Sequence, residues 1–272
     1  MKIGQAHPEA VWAYWAAEPG PAAAVVGGVH GNELAGIRVI ERLKRQFDAG
    51  ALAPVRGTVL LAVGNPRAVA AGVRAEGEDL NRCFTDAVLA GEGGAYAHLR
   101  ARELAAVFGG VSLGIDIHGT NTPSRPFVVI QRGVRPGDEA VLGRLSAGLV
   151  LRDPRMVFAG EPSTLDELFA RSGGLGICYE TGASGDDTVA GRIVAEIVAA
   201  LSAGGWLPPV DPPQYRLPKA EYVLAEKILL TEAGFRFADG VGDVNFQPLA
   251  AGSRVGCHGT TPLVAPSDCL LV

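Results

Sequence analysis

Residues 22–29 form an apolar run broken only by Gly27 and Gly28, after which Leu34, Ile37, Ile40, Leu43 and Phe47 recur at roughly helical spacing. A buried strand that feeds directly into an amphipathic helix is the building unit of layered α/β folds. The alternation repeats. Strand-like apolar runs occupy 58–63, 111–117 and 175–179, and helical spacing returns over 99–108, at Val141, Leu142, Leu145 and Leu149, and at Val189, Ile193, Ile197 and Leu201. The expectation is an α/β fold with a mostly parallel mixed sheet covered by helices on both faces. Near the start, Trp12, Tyr14 and Trp15 suggest the packing of an early hairpin. Beyond residue 203 the composition changes: Gly204-Gly205, Pro208-Pro209, Pro212-Pro213 and Pro218 mark a stiff linker, and 219–272 reads as short strands broken by Gly and Pro. The expected division is an α/β unit over 1–205, followed by a linker and small β unit over 206–272. The tail 219–272 would be marginal alone, so it should pack on the larger unit as a β appendage.

Chemistry gathers at the ends of the strands. His30 and Glu33 stand three residues apart on the turn after 22–29, and an imidazole with a carboxylate is a zinc-type donor pair. Alone, such a pair is more often a surface histidine and a helix-capping glutamate. The run 111–117 delivers Asp116 and His118 to the same sheet edge, where ligands of open α/β sheets bind. His30, Glu33 and His118 make a His₂Glu set that leaves one tetrahedral position free for water, the pattern of catalytic rather than structural zinc. Glu180 closes the strand 175–179 and is the candidate general base. Between these elements a long loop carries Asn65-Pro66-Arg67-Ala68, Arg74 and Asp79-Leu80-Asn81-Arg82. Arginine suits bidentate carboxylate binding and oxyanion stabilisation, although most arginines only face solvent. Asp79 suits the outer support of a metal-bound imidazole; Asp116, two residues from His118 on one strand, is a second candidate for that task.

Taken in order, Gly-Gly-x-His-Gly-Asn-Glu, Asn-Pro-Arg-Ala with Arg74, Asp-Leu-Asn-Arg, Asp-Ile-His-Gly-Thr and Glu-Thr-Gly resemble the aspartoacylase and succinylglutamate desuccinylase family, relatives of the zinc carboxypeptidases. The resemblance spans roughly residues 22–182. It implies one Zn²⁺ per chain held by His30, Glu33 and His118, with Glu180 as general base and acid. It also implies that Arg74 polarises the scissile carbonyl, that Asn81 and Arg82 hold a substrate carboxylate, and that Asp79 supports a zinc histidine. A further family arginine has only a loosely spaced counterpart in Arg171. The implied activity is zinc-dependent deacylation of a small anionic N-acyl amino acid, with a peptide-cleaving metallocarboxypeptidase or a non-catalytic metal- or metabolite-binding protein as rivals. Asp-Ile-His-Gly-Thr leans towards the aspartoacylase form, hence towards a short acyl group.

The remaining features exclude more than they assign. A net charge of −5, with no basic run or stripe, argues against a nucleic-acid or anionic-membrane partner. No apolar run reaches the ~18 residues that a membrane span requires. The opening Met1-Lys2-Ile3-Gly4-Gln5 carries no apolar signal segment, so cytoplasmic residence is the expectation. Cys83, Cys178, Cys257 and Cys269 show no C-x-x-C spacing and read as reduced structural thiols. The oligomeric state is not legible in the sequence.

Overall fold

The strand-like runs pair into one large sheet. In the computed structural model, which describes residues 8–183, 188–211, 214–215, 217–228 and 234–272, its strands are β1 (Val11–Trp15), β2 (Ala22–Gly27), β3 (Thr58–Val63), β4 (Leu113–Thr120), β5 (Phe127–Val129), β6 (Leu149–Arg152), β7 (Leu175–Ala183) and β8 (Ala220–Val223). They are ordered β1-β3-β2-β4-β7-β5-β6-β8. β3, β2, β4 and β7 run parallel. β1 joins one edge antiparallel to β3, while β5 reverses against β7 and β6 and β8 follow it.

The helices are α1 (Leu34–Asp48), α2 (Pro66–Ala71), α3 (Asp86–Leu89), α4 (Tyr96–Phe108), α5 (Asp138–Leu142), α6 (Leu165–Arg171) and α7 (Ala190–Ala203). Strand alternation divides the apolar side chains between two cores. Ala23, Val25, Ile115, Ile117 and Ile177 pack with α1, α5 and α7 on one face. Ala24, Val26, Leu60 and Ala62 pack with α4 and α6 on the other. Each fully buried Leu or Ile contributes about 1.5–3 kcal/mol, so these two layers carry the fold. The same alternation turns Asp116, His118, Cys178 and Glu180 towards the α4 and α6 side. Gly27 permits the close crossing of α1 over β2, since a Cβ there would lie 2.4 Å from the Gly36 carbonyl oxygen.

After the proline-rich stretch, β8 joins the large sheet beside β6. Then follow β9 (Phe235–Phe237), β10 (Gln247–Leu249), β11 (Arg254–His258), β12 (Thr261–Val264) and β13 (Cys269–Leu271). They form an antiparallel β12-β11-β9 sheet and a β10-β13 pair around Leu249, Val255 and Ala265. Phe246 fastens this appendage to the main body by packing with Phe127 and Leu149.

Four local expectations need correction. Trp12, Tyr14 and Trp15 form no hairpin with the next strand: β1 pairs with β3, and the connection through Pro19 and Pro21 lacks the amides that a tight ladder turn would use. The strand 22–29 stops at Gly27, because Gly28 adopts φ +68° and starts the turn. The helical pattern at Val141 ends at Leu142, with Gly143 as its cap, and Leu149 opens β6. The supposed long loop holds α2, with the Asn65 side chain accepting from the Ala68 amide at 3.1 Å, Pro66 in the first turn and left-handed Gly72 as its terminator.

Candidate active site

The turn 28–33 lifts His30 and Glu33 onto the carboxyl edge of β2. Its compactness depends on Gly31, where a Cβ would meet the Ala68 backbone at 2.0 Å, and whose amide donates to the Arg74 carbonyl at 3.2 Å. Glu33 precedes the first residue of α1 but caps no amide of that helix. Its carboxylate faces His30 Nδ1 at 2.7 Å and His118 Nδ1 at 2.9 Å, and accepts from the Gly119 amide at 3.1 Å. The capping alternative is thereby removed. All three side chains are buried, and their donor atoms lie within 4.8 Å of one another.

The outer nitrogen of each imidazole has its own carboxylate. His30 Nε2 lies 3.0 Å from Asp79 Oδ1, and His118 Nε2 lies 2.7 Å from Asp116 Oδ2. A carboxylate on Nε2 fixes the ring proton there and aims the Nδ1 lone pair at the centre, as metal-ligating histidines require. Burial opposes charge on both rings, yet Asp79 and Glu33 keep His30, and Asp116 and Glu33 keep His118, above the ordinary imidazole range. For Glu33, burial pushes upward, but the two imidazoles outweigh it and hold the carboxyl down at about 2. Three carboxylates converging on two imidazoles demand positive charge between them. This donor set fits a divalent ion.

Glu180 lies beside His118 in the β4–β7 register. Its Oε2 is buried without a hydrogen-bond partner, and desolvation raises the acid to about 7, with Glu33 raising and His118 lowering it. Arg74 is 42% exposed and reaches the trio from the open side, with Nη2 3.1 Å from Asp79 Oδ2 and Nη1 3.6 Å from Glu33 Oε1.

Asp79, Asn81 and Arg82 share one tight segment. The Asp79 carboxylate accepts from the Asn81 amide at 2.9 Å and caps the 3-10 turn Leu80–Arg82. Asn81 is buried, and its Oδ1 accepts from Leu165 N at 2.9 Å, tying this turn to the start of α6. Arg82 donates to the Asn81 carbonyl at 2.6 Å and stacks over Phe158 at 4.5 Å. Arg171 is committed elsewhere, to Asp86, Phe84 O and Pro162 O.

Several neighbours escaped the sequence reading. Asn65 stood in a named motif, and what was missed is its capping of α2, for which the Asn-Pro pair is a legible signal. Asp166, in the first turn of α6, is buried and driven up to about 7 mainly by desolvation. Phe158 and Lys227 stack together, Nζ 4.8 Å from the ring centre. No local pattern announces Asp166, Phe158 or Lys227.

Residues 19–201 match the family model described as the Succinylglutamate desuccinylase/Aspartoacylase catalytic domain. A probable aspartoacylase of Parasynechococcus marenigrum (strain WH8102) is 39% identical over 134 residues, covering 47% of this chain and 43% of the relative. A succinylglutamate desuccinylase of Pseudomonas aeruginosa is 38% identical over 92 residues, covering 34% of this chain and 27% of the relative. The matched stretches thus span less than half the length of these curated relatives. Among solved structures, the succinylglutamate desuccinylase from Vibrio cholerae superposes with a TM-score of 0.75 at 18% identity, over 97% of this chain and 80% of that one, a likeness of fold.

Proposed function

Since the chain belongs to the succinylglutamate desuccinylase/aspartoacylase family, we propose that it is a zinc-dependent amidohydrolase that removes the acyl group from a small N-acyl amino acid. The observation that carries the reading is the convergence of His30, Glu33 and His118 beside a partnerless, buried Glu180 oxygen. His30 Nδ1, Glu33 and His118 Nδ1 would hold the ion. When bound, such an ion polarises a carbonyl and lowers the pKa of water to about 7.

The remaining steps fall to the chain itself. Glu180, poised near neutrality, takes a proton from the attacking water and later returns it to the departing amine. Arg74, exposed and beside the trio, steadies negative charge on the former carbonyl oxygen. Asp79 and Asp116 fix the imidazole tautomers. Arg82, oriented by Asn81 O and Phe158, grips the substrate carboxylate with the Asn81 side-chain amide. An acidic chain thereby presents local positive potential to an anionic substrate.

The test is turnover of N-acetylaspartate, N-succinylglutamate and a set of short peptides by zinc-loaded protein. Hydrolysis of an acylated amino acid is the expected result. Cleavage of peptides alone, or of nothing, would overturn the proposal.

A further inference from the structure

Outside that site, the fold assembles another group of metal-type donors. Glu78 and Cys83 flank the 3-10 turn, and His98 lies in the first turn of α4. One carboxylate oxygen, the Cys83 sulfur and one His98 nitrogen lie within 4.8 Å of one another. His98 Nε2 is 2.5 Å from Glu78 Oε2. Its Nδ1 is buried without a partner, so Nε2 is the nitrogen that the ring offers outward. The chain at Gly93 lies so close to the ring that a Cβ there would fall 1.8 Å from Nδ1, which holds the imidazole in place. Cys83 is buried, while Glu78 is exposed and leaves the cluster open to solvent.

We propose that Glu78, Cys83 and His98 form a second divalent-cation site, for the zinc-like ions that accept sulfur, imidazole and carboxylate together. It shares no donor with His30, Glu33 and His118, and sulfur sets it apart from them. On loading, the Cys83 thiol releases its proton to solvent as the thiolate binds the ion. The location gives the site a route to the first one. Cys83 Sγ donates to the Asp79 carbonyl at 3.3 Å, and Asp79 is the residue that holds His30. Loading exchanges that thiol hydrogen bond for the bond to the ion, and an ion gripping Glu78 and Cys83 on either side of the turn and His98 on α4 would tie the segment carrying Asp79, Asn81 and Arg82 to that helix. The competing account is a surface ion pair beside a structural thiol.

Cobalt titration of the full chain separates the two, because a thiolate bound to Co²⁺ gives an intense near-ultraviolet charge-transfer band that His₂Glu ligation cannot. The expected result is a band that accounts for one of the two cobalt ions taken up per chain, disappears in Cys83→Ser and persists in Cys257→Ser. His98→Ala should weaken cobalt binding at this band by at least ~10-fold, the lower end of what even outer supporting residues cause. If Cys83→Ser loses its circular dichroism, His98→Ala and Glu78→Gln carry the test. A wild type without the band under excess cobalt, a band surviving in folded Cys83→Ser, or unchanged affinity in His98→Ala overturns the site. Failure of the His30 site would leave the sulfur band untouched, so the two proposals fail separately.

Discussion

A glutamate at the head of a helix ordinarily satisfies the free amides there, whereas Glu33 faces two imidazoles and leaves α1 without a side-chain cap. At Asn81, read as a substrate contact from its place beside Arg82, the side-chain oxygen is engaged by Leu165 N, so any grip on a carboxylate falls to the amide nitrogen. Composition and spacing locate such residues but do not say which of their atoms are free. Strand-end position made the convergence of His30, Glu33, His118 and Glu180 legible; the burial of Asp166 was not, since it depends on which helix lands there. At Glu180, replacement by Gln should keep fold and metal while kcat falls by roughly two to four orders of magnitude, whereas an effect confined to KM would mean that the residue only positions substrate. In metal-free protein Glu180 holds its proton up to about 7, against 4.5 for the ordinary acid. Its folded pKa being raised, the stability it contributes is complete below about 4.5 and lost as pH climbs through 7. Melting of metal-free protein should decline over that window, and less so in Glu180→Gln; equal declines would refute the shift.

At the scale of elements, the turn between β2 and α1 works because backbone replaces side chains at two crossings. Gly31→Ala would drive a methyl into the Ala68 backbone. Overpacking of this kind costs about 1–3 kcal/mol, and here the displacement falls on His30. The variant should therefore melt earlier and hold zinc more weakly than wild type, as thermal scans and metal analysis would show; wild-type values in both would mean that α2 yields freely. Periodicity found the long strands and helices, because two-sided burial writes itself into every second or third residue. It failed at α2, where six residues are too few for a pattern and only Asn65, Pro66 and Gly72 speak. It failed again at β1, whose choice of β3 as partner is tertiary.

Across the whole molecule, the donors come from the turn between β2 and α1 and from β4, so an ion there would tie together segments far apart in the chain. Removing it with a chelator should lower thermal stability. Occupancy at ~100 times Kd stabilises by about 2.7 kcal/mol, and ~2–4 °C accompanies each kcal/mol in chains of 150–250 residues. A fall of about 5–10 °C is thus expected by differential scanning fluorimetry, restored by zinc; an unchanged midpoint would show that the donors hold nothing. Among the described residues, no helix is long and apolar enough to cross a membrane. The proline-rich stretch looks like a natural place to trim the chain, yet β8 lies beyond it and covers the outer edge of β6. Cutting there would bare the main-chain donors and acceptors of Leu149, Val150, Leu151 and Arg152, an apolar ribbon open to any other strand. Shortened forms should accordingly clump through that rim during expression, which sets the proper limit for anyone cloning the large-sheet unit alone.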